Sequence, residues 1–327
     1  MKRQLLGVAA FMLALSAHAQ DNPLWMRYCA ISPDGTSIAF TYKGDIYTVP
    51  VNGGKAAQIT TNAAHDTHPV WSPDGKQIAF ASDRMGSMDI FVVDREGGIP
   101  KRLTTHSGNE TPVAFKDADH ILFLANVMPS AEDAQFPSGQ FQQVYEVSTT
   151  GDRPVMFSSM PMEDISINKT GNALLYHDKK GYEDPWRKHH TSSITRDIWL
   201  CSLDGKRSYR KLTSFNGEDR TPVWASDGKS FYYLSEEKGS FNVFKRALDG
   251  TTSTQLTHHT KHPVRFLTAA DNGTLCYGYD GEIYTMKEGT EPRKVQISIL
   301  TDKNDKDLIR QIRRNGACLL YTSDAAD

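Results

Sequence analysis

The chain repeats a short phrase, Ser32-Pro33-Asp34-Gly35, which is followed by the apolar run Ile38-Ala39-Phe40. The phrase returns with variations as Ser72-Pro73-Asp74-Gly75 before Ile78-Ala79-Phe80, and as Ala225-Ser226-Asp227-Gly228 before Phe231-Tyr232-Tyr233. Each copy occupies the same place in a longer unit of about 45 residues, which is the length of a β-propeller blade. The repeat therefore predicts an all-β fold of blades arranged around a ring.

Six units follow one pattern of four short strands. The first strand ends in an aromatic or apolar residue, a turn of the Asp-Gly type follows, and the third strand carries a β-branched residue beside an aromatic one. The alternation along each strand has the period of two that strands show, and no helix is predicted before the C-terminal region. One such blade cannot bury both of its faces, so the blades must stack.

The units are Tyr28–Thr60, Pro69–Thr104, Pro112–Ser158, Glu163–Thr213, Pro222–Thr257 and Pro263–Ser298. We predict a six-bladed β-propeller of four-stranded antiparallel blades over residues 23–299. No strand shared by the first and last blades is evident, and an unlatched ring would fray first in those two blades.

Two units depart from the pattern. The third carries a polar insert over Asn126–Gln143, and the fourth carries another over Lys179–Thr195. Because both inserts leave the predicted strands intact, we expect them to be loops on a blade edge. Long loops on a rigid scaffold commonly carry function. The segment Tyr182–His190 of the second insert mixes aromatic residues with both signs of charge, which fits either a contact with a peptide or partner domain or a packed surface loop.

The two ends of the chain read differently from the repeats. Residues 1–19 have the form of a signal peptide, with Lys2-Arg3, an apolar run and the cleavage site Ala17-His18-Ala19. We expect cleavage after Ala19 and export to the periplasm or the extracellular space. Residues 300–317 are expected to link to a missing downstream domain. Residues 318–327 resemble translated adapter sequence and are interpreted as a non-native tail.

Composition narrows the function classes. The chain has 327 residues, and 37 Lys and Arg balance 39 Asp and Glu. No basic stripe is present, so no nucleic-acid partner is expected. The four cysteines show no C-x-x-C spacing. A disulfide is compatible with export, but the sequence does not pair the cysteines. Cys201 and Cys276 lie in predicted strands and are expected as buried free thiols.

The sequence contains no G-x-S-x-G, no H-E-x-x-H and no phosphate-binding glycine loop. We therefore expect no catalytic residue, no cofactor-binding residue and no metal ligand in this chain, and no cofactor. Histidines cluster at three places: His65 and His68, His189 and His190, and His258, His259 and His262. The first and last clusters are interpreted as polar residues of inter-blade loops near one end of the channel. The segments Asn109-Glu110-Thr111 and Asp219-Arg220-Thr221 occupy the equivalent place.

The chain resembles the N-terminal propeller of tricorn-type serine proteases, in the exported form found in Bacteroidetes-like bacteria. The resemblance covers about Pro23 to Ile299. It is carried by the segments Ile31–Gly35, Gly44–Gly54, Pro69–Gly75, Ala81–Arg84, Asp89–Phe91 and His189–Trp199.

The resemblance implies a parent protein with a second, seven-bladed propeller, a PDZ-like module and a peptidase core with a Ser nucleophile and a His base. Those catalytic residues would lie beyond position 327. It implies that this fragment guides or filters peptide or unfolded-protein substrates toward a distant hydrolase site, with the downstream domains as partners. Assembly of identical chains is left open. Two alternatives remain: a free-standing TolB-like periplasmic propeller that binds proteins, and the propeller cap of a prolyl-oligopeptidase-type hydrolase.

Overall fold

Six four-stranded antiparallel sheets form a ring around a central channel. The computed structural model describes residues 23–126, 141–181 and 194–300. All regular structure in these ranges is strand, so none of their segments is an apolar helix that could cross a bilayer. The predicted all-β fold and the predicted number of blades are both confirmed.

Each blade uses four strands that follow one another along the chain, apart from β4, which lies outside the blades. Blade 1 contains β1 (Arg27–Ile31), β2 (Ser37–Tyr42), β3 (Asp45–Pro50) and β5 (Ala57–Gln58), with β4 (Gly54–Lys55) beside it. Blade 2 contains β6 (Asp66–Trp71), β7 (Gln77–Ser82), β8 (Asp89–Asp94) and β9 (Lys101–Arg102). Blade 3 contains β10 (Glu110–Phe115), β11 (His120–Ala125), β12 (Gln143–Ser148) and β13 (Val155–Ser158).

The second half of the ring repeats this order. Blade 4 contains β14 (Met162–Ile167), β15 (Ala173–Asp178), β16 (Ile198–Ser202) and β17 (Ser208–Lys211). Blade 5 contains β18 (Asp219–Trp224), β19 (Ser230–Ser235), β20 (Asn242–Ala247) and β21 (Ser253–Gln255). Blade 6 contains β22 (Arg265–Ala269), β23 (Leu275–Tyr279), β24 (Glu282–Met286) and β25 (Arg293–Lys294), and β26 (Ile297–Ser298) follows it. The first strand of each blade lines the channel.

The Ser-Pro-Asp-Gly phrase forms the turn between the first and second strands of a blade. In blade 1 the Ser32 hydroxyl donates to Asp34 Oδ1 over 2.5 Å and accepts the backbone N–H of Ser37 over 3.0 Å. Gly35 has φ of 71°, a region that only glycine enters at low cost. The hydrogen bond from Ser32, with help from the Thr36 backbone, lowers the pKa of Asp34 to about 2. The phrase is therefore a self-contained turn, which explains why it recurs.

Apolar side chains fill the six junctions between neighbouring blades, one buried cluster to each junction. Aromatic side chains face each other across the second and third strands of a blade, as Phe40 and Tyr47 do with ring centroids 5.9 Å apart. Trp71 crosses a junction and donates its indole N–H to the Ala30 carbonyl of the preceding blade over 2.9 Å. The predicted β-branched and aromatic pairs thus supply the packing between blades.

The ring closes between blades 6 and 1 without a shared blade strand. Instead β26 pairs in parallel with β4, with Ile297 opposite Gly54 and Ser298 opposite Lys55. The Met26 N–H donates to the Gly281 carbonyl over 3.1 Å, which adds a second contact across the junction. The sequence pattern left open how the ring closes, and it did not predict this short closing pair. Two-residue strands carry too little periodicity to be recognised.

Several sequence-based expectations fall outside the described residues. They concern the signal peptide at 1–19, nearly all of the first insert, residues 182–193 of the second insert, the link at 301–317 and the tail at 318–327. These expectations stay predictions.

Candidate functional site

The central channel is a concave feature that all six blades build together. Its cavity volume is about 1060 Å³, and every blade contributes to its lining through its first strand. The lining runs from the Ser-Pro-Asp-Gly turns at one mouth to Arg196 and Gln142 at the other, where the two inserts end. A ligand in this channel would therefore meet all six blades at once.

A bulge interrupts the first strand of each of the six blades, and in five of them it lies at one equivalent position. The register of strand pairing shifts there, and the bulged residue adopts a left-handed conformation although it is not glycine. Such a conformation costs about 1–2 kcal/mol for each residue, so the surrounding sheet must impose it. In blade 3 Pro112 stands at this position, and its ring holds φ near −65°. We call the five bulged residues the collar: Tyr28, His68, Asp164, Thr221 and Phe266.

One side of the collar is aromatic. The rings of Tyr28 and His68 have centroids 3.6 Å apart, and those of Tyr28 and Phe266 lie 4.8 Å apart. These residues come from blades 1, 2 and 6, which are neighbours in the ring. Burial lowers the pKa of His68 to about 4, so its imidazole is neutral near pH 7. Burial also raises the pKa of the Tyr28 hydroxyl.

The other side of the collar is polar. The Thr221 hydroxyl donates to Asp164 Oδ2 over 2.6 Å, and the Thr221 backbone N–H donates to His177 Nδ1 over 3.3 Å. Since Nδ1 accepts this bond, Nε2 of His177 carries the ring proton and donates to Glu163 Oε2 over 3.2 Å. The Asp164 carboxylate acts electrostatically on His68, which places the polar and aromatic sides close enough to influence each other.

A buried ion-pair network supports the polar side where blades 4 and 5 meet. Arg196 is 4% exposed and donates through Nη1 to Glu218 Oε1 over 2.8 Å, while its Nε lies 3.5 Å from Glu163 Oε2. Arg220 pairs with Glu218 as well. Burial lowers the pKa of Arg220 to about 9, and the nearby Arg196 charge adds to the effect. The guanidinium and carboxylate groups balance, so the network holds the wall of the channel in place.

The protonation of Glu163 reflects this network. Desolvation alone would raise the pKa of its carboxyl group, but the hydrogen bonds from His177 and Lys179 and the charge of Lys179 outweigh burial and hold the pKa well below its usual range. Lys179 donates to Glu163 Oε1 over 2.7 Å and is the first residue of the second insert. The root of that insert is therefore tied to the channel wall.

The structure separates the histidines that the sequence groups together. His68 lies in β6 and belongs to the collar, whereas the His65 backbone N–H donates to Asp83 Oδ1 over 2.7 Å outside the strand. His259 stacks on Tyr279 with centroids 3.8 Å apart, and His262 Nε2 lies 3.3 Å from Asp280 Oδ1. His189 and His190 lie outside the described residues. Within the described ranges, no group of three or more His, Cys, Asp or Glu side chains could hold a metal ion.

The interpretation of residues 110–111 and 219–221 as parts of inter-blade loops was wrong. Glu110 and Thr111 belong to β10, and Asp219, Arg220 and Thr221 belong to β18. Because of the bulge, the first strand begins earlier in the chain than the position where the sequence pattern places its start. Sequence reasoning therefore missed the collar and the ion-pair network. A pre-proline residue at the same place in two units, His68-Pro69 and Thr221-Pro222, is the one signal that pointed there.

The side chains of the collar are engaged in hydrogen bonds and ring contacts with their neighbours. Thr221 donates its hydroxyl proton to a carboxylate, and the nearby imidazole of His177 accepts a backbone N–H at Nδ1, so this histidine is not placed as a base for that hydroxyl. Aromatic faces on one side and hydrogen-bonding groups on the other suit an extended chain that carries mixed side chains.

The fold defines a class of protein, the six-bladed β-propellers with four-stranded antiparallel blades around a central channel. Residues 23–292 match the tricorn protease N-terminal β-propeller domain, and the chain belongs to that family. It is 25% identical over 281 residues to tricorn protease homolog 1 of Streptomyces coelicolor, which covers 85% of this chain and 25% of the relative. The chain therefore spans about a quarter of the length of that relative.

Solved structures agree on the fold. The crystal structure of the tricorn protease superposes with a TM-score of 0.72 at 20% identity, covering 86% of this chain and 27% of that one. TolB from Acinetobacter baumannii superposes with a TM-score of 0.59 at 16% identity, covering 80% of this chain and 61% of that one.

Proposed function

We propose that this chain is the non-catalytic N-terminal propeller of an exported tricorn-type serine peptidase, and that its channel guides or filters peptide substrates toward a downstream active site. The observation that carries the proposal is the family match over residues 23–292 in a chain that spans about a quarter of its relatives. The channel supports it, because it offers aromatic faces and hydrogen-bonding groups to an extended peptide.

A blocked channel tests the guiding role. Thr111 lines the channel in β10, and tryptophan there would narrow the passage. Thr252 lies in the exposed outer turn of blade 5, so Thr252→Trp makes the same chemical change away from the channel. We expect Thr111→Trp to weaken the binding of a fluorescein-labelled, unfolded casein peptide by at least about tenfold, since a lost set of contacts worth about 1.4 kcal/mol has that effect. Thr252→Trp should bind like the wild type. Fluorescence anisotropy measures both affinities.

Two results would contradict the proposal. Equal affinity in both variants, or no measurable affinity in the wild type, would remove the channel from peptide handling. Labelling of the purified chain by a serine-reactive fluorophosphonate would contradict its non-catalytic role.

A further inference from the structure

Two cysteines that are far apart in the sequence lie in the same cluster where blade 1 packs against blade 6. Cys29 lies in β1 of blade 1, and Cys276 lies in β23 of blade 6. Both belong to the single apolar cluster that joins these blades, with 2% and 0% of their surface exposed. The ring, not the local sequence, brings them together.

Hydrogen bonds join the two strands that carry or face these cysteines. The Ile31 N–H donates to Thr268 Oγ1 over 3.1 Å, and Thr268 stands directly opposite Cys276 in the pairing of β22 with β23. Cys29 Sγ donates to the Phe266 carbonyl, also in β22, over 3.5 Å. Cys29 and Cys276 therefore face the same strand from blades 1 and 6, inside one buried cluster.

We infer that Cys29 and Cys276 form a redox-controlled disulfide that closes the propeller ring covalently. Both thiols are reduced in this structure. The pairing of β26 with β4, a set of backbone and side-chain hydrogen bonds and apolar packing hold this junction, and among the described residues both cysteines are free thiols. A bond here would enclose nearly the whole propeller in one loop, which restricts the unfolded chain strongly.

The oxidant is an external disulfide, either a small one such as oxidised glutathione or that of a thiol–disulfide oxidoreductase. One cysteine thiolate attacks the external disulfide to give a mixed disulfide, and the second cysteine then displaces the external thiol. Two S–H bonds break and one S–S bond forms, while the external disulfide takes up the two electrons and two protons as two thiols. The reaction needs an oxidising compartment and so shares the expectation of export with the proposed function.

Burial decides when the bond forms. Desolvation raises the pKa of the Cys276 thiol well above its usual value, so little thiolate is present in the closed ring. Since the thiolate is the attacking species, oxidation belongs to the period when blades 1 and 6 have not yet docked. Once formed, the disulfide is shielded from reductants by the same burial.

Refolding the full chain in a glutathione redox buffer tests this inference. Free thiols are blocked with iodoacetamide after denaturation, and tryptic peptides are analysed by mass spectrometry without reduction. We expect the peptides Tyr28–Lys43 and Phe266–Lys287, which contain one cysteine each, to appear linked and two hydrogens lighter than their sum. Recovery of both peptides in carbamidomethylated form, or a link to Cys201 or Cys318, would overturn the inference. This readout does not depend on peptide binding, so it can fail or succeed independently of the proposed function.

A stability measurement supplies the second arm. We expect the oxidised protein to unfold about 5–10 °C above the reduced protein, because cross-links across long loops give the larger gains. Cys29→Ser and Cys276→Ser should each abolish this difference between oxidised and reduced samples. Cys201→Ser should keep it, because Cys201 is equally buried but lies in the cluster between blades 3 and 4. A redox difference that persists in Cys29→Ser would overturn the inference.

Discussion

At the scale of single residues, buried polar groups at the ends of strands explain parts of the repeat that apolar packing does not. The threonine two residues after the fourth strand accepts a backbone N–H from the third strand, as Thr60 does from Ile46 and Thr104 from Ile90, both over 2.9 Å. In blade 2 the Thr104 hydroxyl also donates to Glu110, the first residue of the next blade. The threonine of the Leu-Thr pair in blade 2 thus forms hydrogen bonds that connect this blade to the next.

Glu110 makes this connection sensitive to pH. Burial raises the pKa of Glu110 to about 7 from its usual 4.5, although the hydrogen bond from Thr104 opposes the shift. The folded protein therefore holds the Glu110 proton more tightly than the unfolded chain does. Its contribution to stability is complete below about pH 4.5 and is lost as the pH rises through about 7. We expect Glu110→Gln to remove this loss, so that the variant gains about 2 kcal/mol relative to wild type between pH 5 and pH 8.

Urea unfolding at a series of pH values measures that difference. Asp219, whose pKa burial raises to about 6, contributes in the same direction and in an overlapping window, but it is present in both proteins and cancels in the comparison. Glu291→Gln changes an exposed side chain and should follow the wild-type curve. Parallel curves for Glu110→Gln and wild type would show that Glu110 does not titrate in this window.

At the scale of elements, tryptophans in the first strands tie neighbouring blades together. Trp71 of β6 donates to the Ala30 carbonyl of blade 1, and Trp224 of β18 donates to the Ser166 carbonyl of blade 4, both over 2.9 Å. Blade 3 has Phe115 at the same place, which shows that an aromatic ring without a donor also fits. The indole N–H therefore adds a directional bond to a junction that is otherwise apolar.

We expect the protein to become less stable when the indole N–H donor of Trp71 is removed. Trp71→Phe leaves the Ala30 carbonyl without its inter-blade partner in a buried site, and we expect a loss of about 1–3 kcal/mol in the free energy of unfolding. Trp25→Phe makes the same change at a side chain that is 71% exposed, and should stay within about 0.5 kcal/mol of wild type. Urea unfolding at fixed pH compares the two variants. Equal effects would mean that the inter-blade bond adds nothing to stability.

At the scale of the whole molecule, stability depends on closing the ring between blades 6 and 1. The closing pair of β26 and β4 leaves no room at Gly53, where an added Cβ would lie 2.5 Å from the Gln296 carbonyl oxygen. Gly86 has a similar left-handed conformation, with φ of 106° against 90°, but no atom within 4 Å of that position. An alanine substitution at Gly86 therefore adds backbone strain alone, whereas one at Gly53 adds backbone strain and also disturbs the closing pair.

Replacing each glycine by alanine tests how much the closing pair contributes. In reduced protein, we expect Gly53→Ala to speed hydrogen exchange at the amides of Gly54 and Ala56, which donate to Gln296 and Ser298, by about tenfold or more. Gly86→Ala carries the backbone strain alone and should leave these two amides unchanged. Mass-spectrometric exchange measures both. If the two variants expose the amides alike, strain and not the closing contact explains the effect.

The sequence by itself determined the blades, because a blade is local. Its Asp-Gly turns, its period of two and its Leu-Thr ends all involve residues a few positions apart, and each repeats often enough to be recognised. Three features depended on the ring: the collar, the ion pairs of Glu163, Arg196 and Glu218, and the cluster that Cys29 and Cys276 share. Their members come from different blades, and the hydrogen bond from Cys29 to Phe266 joins residues 237 positions apart. No local pattern encodes such proximity, since it arises only when six blades pack around one axis and the last meets the first.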